Sequence, residues 1–143
     1  MAVAANLNTT SSMTAFLKDN KILNELSKGV MALKSFIYPS VLQKEAIPVL
    51  KKKNKSRNVI IRYSSMSGIK LTVLLPLLNQ LIRDVVSQPD NQDVQYLAIL
   101  CHSGVRCTEM EGFLKDLLAF CQDVSQTVDL YNGDKVEIAH RLK

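Results

Sequence analysis

The chain has no Cys-x-x-Cys pair and no cysteine–histidine cluster at zinc spacing, which argues against a zinc-built domain. Its cysteines, Cys101, Cys107 and Cys121, are odd in number and lie in apolar surroundings. That pattern predicts reduced core thiols in an intracellular protein, not a disulfide framework. The opening MAVAANLNTTSS lacks a basic region followed by an apolar core, so no secretory signal is expected. An uninterrupted apolar run of membrane length is missing as well. The most apolar stretch, 69–86, carries Lys70, Pro76, Asn79, Gln80, Arg83 and Asp84 and reads as a buried helix. Nor is there a hydrolase triad. His102 and Ser103 stand beside Cys101, but no third group and no nucleophile-elbow glycines accompany them. His140 reads as an exposed side chain.

What is present fits one domain. The chain has 143 residues, 47% of them hydrophobic, enough for a core of its own. Lysine and arginine total 18 against 13 acidic residues, a formal charge of +5. That balance permits an anionic partner such as nucleic acid without requiring one.

Residues 1–12 are small and polar, and a flexible tail is expected over 1–15. Between 20 and 34 the apolar positions Ile22, Leu23, Leu26, Val30 and Leu33 recur at helical spacing. Pro39 breaks that pattern, since it disfavours an α conformation at Tyr38. A second helix is predicted over 40–50, with Val41, Leu42, Ala46 and Leu50 on one side. The run KKKNKSR, 51–57, is a charged loop, read either as a solvated connection or as a nucleic-acid patch of Lys51, Lys52, Lys53, Lys55 and Arg57. A β-branched run at 58–63 predicts a buried strand. The segment 69–87 is apolar nearly all round and predicts a covered helix kinked at Pro76. A second strand is predicted at 95–101 and a third at 127–131. Between them a helix over 105–123 gathers Met110, Phe113, Leu114, Leu117, Leu118 and Cys121 on one face. Strands alternating with helices predict an α/β fold with a parallel sheet, incomplete at about three strands.

The loop SSMSGIKL, 64–71, sits between the first strand-like run and the long helix, where nucleotide-binding chains carry a phosphate loop. Upstream, Phe36, Pro39, Ser40 and Gln43 followed by Ala46-Ile47-Pro48 match an aromatic, two residues, Pro, Ser or Thr, two residues, Gln, and Ala-Ile-Pro. This segment resembles the Q motif of DEAD-box RNA helicases, with Ser35 in place of the usual preceding glycine. Leu23, Leu26 and Gly29 look like the helix before that motif. Phe16 resembles the upstream adenine-stacking aromatic, and Asn58-Val59-Ile60 the following strand. On this register the family's Ala-x-x-Gly-x-Gly-Lys-Thr lies over 63–70. Only Gly68 survives, with Met66 for the first glycine, Ile69 for the lysine and Lys70 for the threonine. After Leu97-Ala98-Ile99-Leu100 the family's Pro-Thr-Arg-Glu-Leu-Ala is replaced by His102-Ser103-Gly104-Val105-Arg106-Cys107. Asn132-Gly133 echoes a double-glycine motif. No Asp-Glu-Ala-Asp segment and no second lobe lie within the sequence.

The resemblance implies a three-layer RecA-like lobe over 16–143, truncated and stripped of its chemistry. It also implies vestigial nucleotide positions at Phe16, Gln43, Gly68 and Lys70, where Phe16 would stack on adenine and Gln43 would read it. The alternative is that Gln43 caps or tethers the loop and Phe16 packs. Lys70 is either a displaced phosphate lysine or a solvent-facing helix lysine; one residue rotates a helical side chain by about 100°. Arg106 and Lys115 could touch an RNA backbone, or form a solvated face. No catalytic residue, metal or cofactor is expected. The expected role is an RNA- or protein-binding module in RNA processing or small-RNA pathways, with ribonucleoprotein partners, no membrane and no small-molecule substrate. Two alternatives stand beside it. One is a working ATP- and magnesium-dependent helicase whose other motifs lie outside this chain. The other is a plain α/β interaction domain.

Overall fold

A computed structural model describes residues 11–52, 58–87 and 97–121. They form five helices: α1 Met13–Asp19, α2 Asn24–Ala32, α3 Val41–Leu50, α4 Ile69–Ser87 and α5 Gly104–Leu118. Among the described residues there is no strand. The expected α/β fold, a RecA-like three-layer parallel sheet, is therefore corrected: the described residues are helical, with no sheet. Residues 58–63 and 97–101 follow irregular paths without ladder bonds. The third expected strand, 127–131, lies outside the described residues. The reason is that a strand is completed by a neighbour. Apolar β-branched residues favour a pleated, half-buried surface, and strand preference expresses that packing more than any backbone tendency. With no ladder to cover them, Ile60 and Leu100 stand 90% and 89% exposed.

Helix α1 begins at Met13, inside the stretch expected to be a tail. Ser12 caps it by accepting from the Ala15 N–H at 3.3 Å, and Asn20 closes it, its side chain donating to Phe16 O at 3.0 Å. Met13, Phe16 and Leu17, at i, i+3 and i+4, form its buried face. The Met13 N–H donates to Ile37 O at 3.0 Å and ties α1 to the corner before α3.

The expected helix at 20–34 starts late because Lys21 takes a left-handed conformation, φ 51°, which an α-helix cannot continue through. Leu23 caps α2 and supplies no side-chain acceptor. The acceptor comes from α4 instead: the Leu23 N–H donates to Asn79 Oδ1 at 2.8 Å. Asn79 is buried, so a polar side chain in the core meets an orphan donor at a helix start.

Helix α4 buries more residues than any other of the five helices. Leu71, Thr72, Leu74, Leu75, Pro76, Leu78 and Asn79 are all buried, more than one stripe, as its apolar composition predicts. Helix α3 packs along it, while α2 packs on α5 and α1 on α2. Helix α5 buries Leu114, Leu117 and Leu118, with Cys121 just beyond its end. On α3 the buried residues are Gln43 and Ile47, while Val41, expected inward, is exposed. Gly29 of α2 lies directly against the α5 backbone: a methyl there would overlap Leu117 O and fall 2.9 Å from its carbonyl carbon.

Candidate functional site

The segment 36–43 and the loop 64–68 meet at one corner. Ser40 caps α3, and its Oγ accepts from the Gln43 N–H at 3.2 Å while donating to Ser67 O at 2.9 Å. Gln43 answers through Oε1, which accepts from the Ser40 N–H at 2.9 Å. The pair is a capping box, two orphan donors satisfied reciprocally. Gln43 is 1% exposed, and its Nε2 is set against Gly68. A Cβ on Gly68 would come within 2.7 Å of that nitrogen and 3.7 Å of Phe36 Cε1. Gly68 has φ 77°, where glycine alone is unstrained. Met66 has φ 63° with its side chain fully in solvent. Two left-handed residues thus stand at the positions that, by resemblance, correspond to two glycines. Gly68 O then accepts from both the N–H and the Oγ1 of Thr72, at 3.1 and 3.0 Å, and fixes the first turn of α4.

This corner accounts for Gln43 without a ligand: its amide oxygen is engaged inside the protein and its amide nitrogen is enclosed. Nε2 and the nearby Ser67 Oγ are buried without a hydrogen-bond partner, a combination that costs stability wherever it occurs. Phe16 is 7% exposed and belongs to the core. Lys70 points across to α5, with Nζ 3.7 Å from Glu109 Oε2 and 6.0 Å from the Phe113 ring centre. Arg106 donates to the same Glu109 oxygen at 2.8 Å. That hydrogen bond first, then the Arg106 charge and Lys70, holds the Glu109 carboxyl below the usual glutamate range. The pairs on this face are exposed and weak in water.

The basic residues divide. Lys51 Nζ donates to Asn20 O, and Arg83 Nη2 donates to the next carbonyl, Lys21 O, at 2.9 Å. Lysines and an arginine from α3, α4 and the turn after α1 thus gather in one place. Burial, then the charges of Lys21 and Arg83, lowers the Lys51 ammonium from its ordinary value. Lys52 is exposed, and Lys53, Lys55 and Arg57 lie outside the described residues. Ser103 is the cap of α5, its Oγ accepting from the Arg106 N–H at 3.4 Å. Lys115 pairs with Glu111 within α5. The cysteines also divide: Cys121 is buried, whereas Cys101 and Cys107, expected in the core, are only half-buried.

Sequence reasoning missed Asn79, Lys21 and Arg83 as partners, because each acts on a residue more than fifty positions away or on a carbonyl that no pattern marks. Ser67 left a fainter signal, as one of several serines in the loop. Among the described residues no three His, Cys, Asp or Glu side chains converge to hold a metal ion, and no helix is long and apolar enough to cross a membrane. Compared with family profiles, curated proteins and solved structures, the chain matches none.

Proposed function

We propose that the chain is a non-catalytic binding module of RNA processing, its Gln43 corner resembling that of DEAD-box helicases and its partner a protein of a ribonucleoprotein assembly. One observation carries this reading: the corner is closed by its own internal bonds while its surface is apolar. Ile37, Tyr38, Val41 and Met66 are 67%, 60%, 61% and 103% exposed, all within three residues of the Ser40–Ser67 bond. Exposed apolar side chains gathered at one place favour a protein partner. The nucleotide groups are set against chemistry: Gln43 is enclosed, Ile69 stands where a lysine would grip phosphate, and Lys70 is directed to Glu109. Phosphoryl transfer needs a placed lysine, a magnesium-holding hydroxyl and an acidic strand end.

The test is a titration with fluorescent ADP and ATP in the presence of magnesium. The reading expects no binding tighter than millimolar; tight, magnesium-dependent ATP binding would overturn it in favour of a working helicase part. A second reading, RNA binding, is favoured by the gathering of Lys21, Lys51 and Arg83. It predicts RNA affinity that falls with salt and a shallower slope once Lys51, Lys52, Lys53 and Lys55 are changed to alanine. Affinity that is absent or indifferent to salt leaves the protein-docking reading.

A further inference from the structure

The stretch 58–66 leads into the apolar corner and has a chemistry that the corner does not use. Residues 58–64 belong to no helix and no ladder, and across 58–66 every residue but Ile61 is exposed. Arg62 lies in this stretch. Ser65, three positions on, is the second residue of the turn closed where the Ser67 N–H donates to Ser64 O at 3.3 Å. Among the described residues no other serine or threonine has a lysine or arginine three positions before it. Hydroxyls elsewhere are committed: Ser12, Ser40 and Ser103 cap helices, while Thr72 and Thr108 donate to helix carbonyls. Three residues of extended chain span about 10 Å, so an enzyme that seats Ser65 at its centre meets the Arg62 guanidinium at a second, defined point. A carboxylate placed there holds a guanidinium by paired hydrogen bonds. Kinases choose substrates by charge patterns of this kind.

We propose that Ser65 is a phosphorylation site for an arginine-directed serine kinase, and that its phosphoryl group closes the apolar corner to a protein partner. The second half rests on the reading of that corner as a protein-docking surface. In the reaction, Ser65 Oγ attacks the γ-phosphorus of magnesium ATP held by the kinase. The Oγ–P bond forms as the bond from that phosphorus to the β–γ bridging oxygen breaks. ADP departs, and the hydroxyl proton passes to a base of the kinase. The product carries a charge of about −1.5 to −2, one residue before Met66 and two after Tyr63, both exposed. Ser40 Oγ donates to Ser67 O at 2.9 Å, which ties this turn to the start of α3. Ile37, Tyr38 and Val41, the other exposed apolar side chains of the corner, lie within three residues of Ser40. A phosphate set beside them is hydrated, and an apolar partner that covers the corner must strip that water without supplying a countercharge.

The test uses the whole chain, magnesium ATP and a calmodulin-dependent serine kinase, followed by trypsin and fragmentation of peptide 63–70. That peptide holds Ser64, Ser65 and Ser67, and the phosphoryl group should lie on Ser65. Arg62→Ala, followed on peptide 58–70, should slow the labelling at least about tenfold; Arg62→Lys should restore part of the rate, and Ser65→Ala should abolish the label. No label in this peptide, or label confined to Ser64, Ser67 or Ser56 of the basic run, would overturn the site. Retention on a phenyl column reads the second half: the phosphorylated chain should elute earlier than the unmodified one. The double variant Tyr38→Ser, Val41→Ser reports on the corner itself and should also elute earlier. If the double variant elutes earlier and the phosphorylated chain does not, the switch fails while the docking reading stands. If the double variant elutes with the unmodified chain, the docking reading fails and the switch with it.

Discussion

Gly29→Ala decides whether α2 and α5 meet backbone to backbone. Considered as a helix residue alone, the change should help: alanine is favoured over glycine in a helix interior by about 1 kcal/mol. The structure predicts the opposite sign. The new methyl would overlap Leu117 O and lie 2.9 and 3.3 Å from the Leu117 carbonyl carbon and Cα. All three are backbone atoms of α5, so no rotamer change relieves the contact. The helices must move apart, around Leu26, Val30 and Leu117, each 0% exposed. Overpacking of this kind costs about 1–3 kcal/mol, and uncovering part of three aliphatic side chains adds a comparable amount. After subtracting the helix gain, a net loss of about 3 kcal/mol is expected, or a Tm lower by roughly 10 °C for a domain of this size. Gly112 in α5 is the internal control, because a Cβ there meets nothing within 4 Å. Gly112→Ala should stabilise by up to about 1 kcal/mol. Urea unfolding followed by far-ultraviolet circular dichroism measures both. If the two alanines stabilise alike, α5 does not lie on α2 and the packing described above is wrong.

Three further outcomes are expected by the same assay. Asn79→Ala strands the half-buried Leu23 N–H that Asn79 Oδ1 now accepts from, which should cost about 1–3 kcal/mol; Asn79→Asp, which keeps an acceptor oxygen, should recover part of the loss. Gly68→Ala meets both a left-handed φ of 77° and the Gln43 amide at 2.7 Å, so a loss of about 1–2 kcal/mol or more is expected. Met66→Gly works the same loop in reverse: its side chain is fully exposed at φ 63°. Relief of about 1–2 kcal/mol of left-handed strain there outweighs the about 0.5–1 kcal/mol that glycine adds to the unfolded entropy. A destabilised Met66→Gly chain would show that this loop does not take the conformation described.

How much of this was legible in the sequence depended on distance along the chain. Helices α2 to α5 announced themselves by apolar spacing, because the residues that define a helical face lie within a turn or two of one another. The face of α5, from Leu114 to Cys121, was read directly. Helix α1 was hidden behind a polar leader, although Met13, Phe16 and Leu17 carry the same spacing over too short a stretch to stand out. The strands failed for the opposite reason. Residues 58–63 and 97–101 have the composition of strands, but a strand exists only when a distant segment supplies its ladder, and composition does not say whether one does. The absence of a ladder among the described residues leaves Val59, Ile60 and Leu100 uncovered.

The candidate corner shows both cases within a few ångströms. The Ser40–Gln43 box is local, a hydroxyl and an amide three residues apart, and it turns α3 so that Gln43 and Ile47 face inward while Val41 faces out. Apolar spacing alone pointed to Val41 because it gives no weight to a polar residue whose bonds can be made inside. The contact with Ser67 and Gly68 is not local, and no spacing along the chain marks it. At this corner the Gln43 amide faces Gly68, and Lys70 faces Glu109. Both side chains are turned toward the protein itself, so what the corner leaves exposed is the apolar group Ile37, Tyr38, Val41 and Met66.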